Sequence, residues 1–103
     1  MLVGAKHGGV TVGDVESKHT AEVEALIEEL AAAGAPALGV TLAPALPARL
    51  RAYARSVAHF PTAVKEFEWR NGWFWGASEA AAKEGRPDPT PLHSALLREV
   101  GAV

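Results

Sequence analysis

The stretch that most constrains this chain is HFPTAVKEFEWRNGWFWG, from His59 to Gly76, which holds all three tryptophans, all three phenylalanines and the only asparagine. Pro61 can open a helix and the next proline is Pro87. The spacing therefore predicts one long helix from about Thr62 to Lys83. On such a helix Val64, Phe67, Asn71, Phe74, Trp75 and Ser78 share one broad face, while Trp69, Trp73, Gly76 and Ala80 line most of the other. A helix apolar on nearly all sides is usually buried between partners. Gly72 and Gly76 each cost roughly 1 kcal/mol against alanine in a helix interior, and the use we assign them is close approach of another backbone or a ligand.

Before this stretch, Val10 to Asp14 (VTVGD) alternates apolar with small or polar residues and reads as a short strand that could begin near Leu2. Thr20 is a candidate N-cap with Glu22 and Glu24 in the first turn. Val23, Leu26, Ile27 and Leu30 follow at helical spacing, with Gly34 and Pro36 read as the stop. Glu28 and Glu29 fall on or beside the outer, solvated face. Ala37 to Leu42 could form a second strand, which would make residues 1–43 a strand–helix–strand element. Pro44 and Pro47 mark a connection, and Leu46, Leu50, Tyr53, Ala54 and Val57 recur at helical spacing after it. Arg49, Arg51 and Arg55 point elsewhere. They could hold phosphate or carboxylate, but pairing with the many glutamates is the better reading. After Lys83, Gly85 and three prolines within five residues form a rigid loop; Thr90 and Pro91 then open a last helix over Leu92 to Val100.

The expected fold is α+β and mostly helical. A short N-terminal β element and an amphipathic helix precede three helices packed around the long Trp-rich one. All 103 residues form one domain, with residues 44–103 as its helical part. The absence of cysteine excludes disulfides and thiolate metal sites. A net charge of −2 gives no electrostatic case for nucleic acid. No apolar run approaches the roughly 18 residues of a membrane span, and the glycine-rich N-terminus does not read as a secretory signal, so a cytoplasmic location is expected.

The signals for chemistry are sparse. No two glycines are spaced i, i+2, so a dinucleotide fingerprint is absent, as is a phosphate-binding loop of the GxxxxGK type. The four histidines, His7, His19, His59 and His93, show no ligand spacing, and no metal is expected. The serines lack a nucleophile-elbow context. The notable polar groups lie on the Trp-rich helix. Glu66 falls near Trp73 on the wheel, where desolvation against an indole can raise a carboxyl pKa and suit it to proton transfer; on spacing alone, an ordinary surface bridge to Arg70 at i, i+4 is the better reading. Asn71 is a lone amide among aromatics, and if buried it needs a partner.

Glu66, then four residues, then Asn71-Gly72 and an aromatic within a continuing helix resembles a motif in the last domain of the ketopantoate reductase (2-dehydropantoate 2-reductase) family. Gly85-x-x-x-Pro89 and a terminal helix are similar to that family's closing segment. Val10 to Ala35 resembles the strand, helix and "AG" turn near the end of its nucleotide-binding domain. The family reduces a 2-oxo acid with NADPH in pantothenate biosynthesis, and joins a Rossmann domain to an all-helical one. The resemblance implies a catalytic Glu66, with Asn71 and Ser78 as substrate-binding residues. The chain departs from the family in lacking the fingerprint loop, the first part of the Rossmann domain and the catalytic lysine. NADPH is thus implied only through a Rossmann-domain partner on another chain.

Two functions follow as expectations. One is an oxidoreductase-related substrate domain, with a small 2-oxo acid facing Glu66, Asn71 and Ser78. The other is a non-catalytic dimerisation or protein-interaction module, in which the Trp-rich helix covers its surplus apolar surface on a partner. So much aromatic area is hard to cover within 103 residues, so a homodimer is expected under either.

Overall fold

The structure is a computed structural model that describes residues 2–60 and 70–103. The described residues are mostly helical, in six helices: α1 (Leu2–Lys6), α2 (Val12–Lys18), α3 (Thr20–Leu38), α4 (Leu46–Ser56), α5 (Asn71–Lys83) and α6 (Pro91–Glu99). No strand occurs among them, which corrects the expected β element.

The reason lies in capping. Thr11 has extended backbone, and its hydroxyl accepts from the Asp14 N–H at 3.3 Å, so the VTVGD segment starts α2. A Thr with an acid three residues on satisfies a free N–H of the first turn, and this outweighs the strand-like alternation. Among the described residues backbone pairing survives where Val12 and Gly13 donate to the carbonyls of Phe60 and Ala58, both at 2.9 Å. That approach leaves no room at Gly13, where a Cβ would lie 2.7 Å from the Ala58 Cβ.

The second expected strand is also absent. α3 passes through Gly34 and Pro36 and ends at Gly39, in the left-handed conformation at φ 66°. Gly39 N–H donates to Pro36 O and Val40 N–H to Ala35 O, the paired bonds of a Schellman ending. A side chain at Gly39 would be strained, so the stop is set there and not at Gly34. Gly34 instead admits the Phe74 ring, which a Cβ would meet at 3.4 Å.

Among the described residues the core is not built around the Trp-rich stretch. It gathers Leu2 and Val3 of α1, Val15 of α2, and Leu96 and Leu97 of α6, with Val23, Leu26 and Trp75 packed against them. The N- and C-terminal helices thus meet in the centre. Burying aliphatic side chains of this size contributes roughly 1.5–3 kcal/mol each. α5 buries only Ser78 and Ala81 and packs on α6. Its expected first half, 62–69, lies outside the described residues. Arg70, at φ −116° and ψ −91°, is not helical, so no single helix runs through it.

Ion pairs tie the periphery. Glu16 of α2, buried, receives Arg51 at 3.0 Å and Arg55 at 2.9 Å from α4, and Arg51 also reaches Glu24 of α3 at 2.9 Å. Lys6 and His7 both contact Glu22 of α3 at 3.0 Å, and His7 stacks on His19 with ring centroids 3.6 Å apart.

Candidate functional site

Two features could carry function: a polar knot at the start of α6 and an apolar trough along α3. The knot arises because α5 presents Asn71 and Ser78, two helical turns apart, to the first turn of α6. Ser78 donates to Asp88 Oδ1 at 2.6 Å. Its one proton is thereby used, so Thr90 and Ser94 donate to Ser78, at 3.0 and 3.3 Å. Asp88 also accepts from the Thr90 N–H at 2.8 Å, an Asx turn that leads the loop into the helix. Burial pushes the Asp88 carboxyl up, but hydrogen bonds from Ser78 and the Thr90 N–H, with the nearby Ser94 hydroxyl and the charge of Arg98, outweigh it and hold the group below its ordinary 3.8.

Thr90 stands at the N-cap position as expected, but its hydroxyl does not cap. Glu29 does so from α3: one carboxylate oxygen accepts the Leu92 N–H and the other the His93 N–H, both at 2.8 Å. This residue, expected on the solvated face, supplies the anion that a helix N-terminus favours.

His93 lies at the centre of the knot, fully buried. Its Nε2 is 3.0 Å from Asn71 Oδ1, and with that oxygen facing the ring Nε2 carries the proton. Phe74 packs edge-on at 5.7 Å. The other ring nitrogen, Nδ1, is buried with no hydrogen-bond partner. Burial pushes the imidazole below its ordinary 6.5, against the opposing pull of Glu29 and Asp88.

The trough is three adjoining hollows. One, of about 240 Å³, lies among α1–α4 and is lined by Val3, Val15, Val23, Leu26, Leu50 and the Glu16–Arg51 pair. A second, of about 280 Å³, runs past Ile27, Leu30, Gly34, Leu38, Val40, Leu42 and Phe74, with no charged residue in its wall among the described residues. The third, of about 490 Å³, continues over Leu30 and Leu38 to Arg70, Asn71 and Trp73.

Of the residues singled out from sequence, Ser78 faces into the knot and Asn71 bonds to His93 while lining the third hollow. Glu66 lies outside the described residues. None of the three hollows has both Asn71 and Ser78 in its wall. His93, Asp88 and Glu29 went unremarked as site residues. Asp88 two residues before Thr90-Pro91 was a readable Asx-turn signal, whereas nothing local marks Glu29 or His93. Among the described residues no group of three or more His, Asp or Glu side chains could hold a metal ion, and no helix is long and apolar enough to cross a membrane. No protein-family model, curated protein or solved structure matches the chain.

Proposed function

We propose that this chain is a non-catalytic helical interaction module that associates, first of all with a second copy of itself, through the trough along α3. The observation that carries the reading is the exposure of large apolar side chains around adjoining hollows: Leu38 is 64% exposed, with Val40, Leu42, Leu50 and Trp73 at 40% or more. Small proteins rarely leave such side chains gathered on one face unless it meets a partner. The polar groups with distinctive chemistry lie elsewhere, in the knot, and bond to each other.

Introducing a charge at the rim tests the reading. Leu38→Glu puts a carboxylate into the trough at an exposed position, so the fold tolerates it while association weakens at least tenfold. Unchanged association in this variant counts against the trough as the interface.

The ketopantoate-reductase-like reading ranks second. Its support is Asn71, whose amide shares the third hollow with Arg70, a pairing suited to a small 2-oxo acid. NADPH would then come on a Rossmann-domain partner. Titration of the chain with NADPH, read by tryptophan quenching, separates the two: saturable micromolar binding favours the reductase reading, and none up to millimolar leaves the module.

A further inference from the structure

We propose that His93 is an acid-sensitive latch: neutral, it holds α6 on α5 and α3, and protonation of its ring releases α6. The argument is one of valence. A protonated imidazole has two N–H donors and needs two acceptors. Asn71 Oδ1 serves Nε2, but Nδ1 is buried without a partner. The carboxylates around the knot are bonded to groups other than the ring: both Glu29 oxygens hold backbone N–H groups of α6, and Asp88 Oδ1 holds Ser78 and Thr90. α5 offers only Asn71 and the Phe74 ring, neither charged. Further along α6 are Arg98, which lies over Trp75, and Glu99, 3.9 Å from Lys6 of α1. A second N–H on His93 thus has no acceptor in the closed knot as it stands, and opening the first turn of α6 gives it one, water.

Burial acts in the same direction, since it favours the neutral ring in the closed state. The open state takes up the proton at the ordinary value of 6.5 and the closed state only below it. Closure is then at full strength above pH 6.5 and weakens as pH falls beneath it, with a limit of about tenfold per pH unit for one proton.

Hydrogen exchange of the Leu92 and His93 amides from pH 7.5 to 5, corrected for the intrinsic rate, tests this directly. The expected result is protection that falls by up to tenfold per pH unit below 6.5, and a flat profile in His93→Gln. A flat profile in the unmodified chain, or the same slope in His93→Gln, overturns the latch. Where His93→Gln does not fold, the ring resonance of His93 in the unmodified chain decides. A midpoint below 6.5 that coincides with lost protection supports the proposal, and a midpoint at or above 6.5 overturns it.

Discussion

Glu29 holds His93 by its backbone and not by its ring: a carboxylate oxygen of α3 accepts the His93 N–H at 2.8 Å, and its second oxygen takes Leu92 at the same distance. The longest helix thus caps the C-terminal one across 64 residues of sequence, and α6 in turn supplies Leu96 and Leu97 to the core. Removing the carboxylate leaves two N–H groups of the first turn without acceptors. Glu29→Ala is expected to cost about 2 kcal/mol, within the range for caps and charge-assisted hydrogen bonds. Glu29→Gln, which keeps one acceptor oxygen, costs less. Urea unfolding of both variants checks the size and the order.

Gly13 of α2 lies against Ala58, in the turn after α4, so closely that side-chain volume is decisive. A Cβ on Gly13 would stand 2.7 Å from the Ala58 Cβ and 3.0 Å from its carbonyl oxygen. Gly13→Ala should therefore destabilise by about 1–3 kcal/mol despite alanine's better helix propensity. Adding Ala58→Gly recovers part of that loss, because one of the two clashing atoms is gone. A thermal-melt double-mutant cycle reads the coupling.

Much of the helical pattern was legible. Leu26, Ile27 and Leu30 share a face of α3, Pro47 sits in the first turn of α4, and Pro91 opens α6. The errors came where two local signals compete. VTVGD alternates like a strand, but Thr11 and Asp14 are spaced to cap a helix, and the cap prevails. Gly34 and Pro36 read as a stop, yet α3 continues to Gly39, where the Schellman bonds form. Roles set by tertiary contact had no local signature. Glu29 reads as a surface acid until α6 is placed against α3, and His93 as an isolated histidine until α5 brings Asn71 to it. Tryptophan content pointed to the Trp-rich stretch as the core, but among the described residues aliphatic side chains of the terminal helices fill that place.

Asp88 sets a second acid limit, distinct from that of His93. Its carboxyl is held below 3.8 in the folded chain, so its contribution is present above that value and is lost as pH falls through the lower folded one. The unmodified chain should lose stability in two stages, one beginning below 6.5 and one below 3.8. Asp88→Asn reduces the later stage, to which Asp14 and Glu22 also contribute, and lowers stability at neutral pH, since a neutral amide accepts more weakly from Ser78 and Thr90. Urea midpoints across pH 3 to 7.5 show whether the stages separate.

Ala45, at φ 56°, is the one non-glycine residue with positive φ among the described residues, and it stands at the N-cap of α4. A side chain there costs roughly 1 kcal/mol or more. Ala45→Gly relieves the strain and is expected to raise stability by up to about 1 kcal/mol, offset in part by the greater freedom of glycine in the unfolded chain. Urea unfolding of this single variant is the check.

The central claim, that the trough along α3 is an interface, is tested most directly by sedimentation equilibrium of the unmodified chain from about 1 to 100 µM. An interface of about 800 Å² per partner is enough for a specific dimer. The account predicts a mass that rises with concentration towards twice that of the 10.8 kDa chain. A mass that stays at 10.8 kDa throughout would contradict self-association through the exposed Leu38 and Trp73.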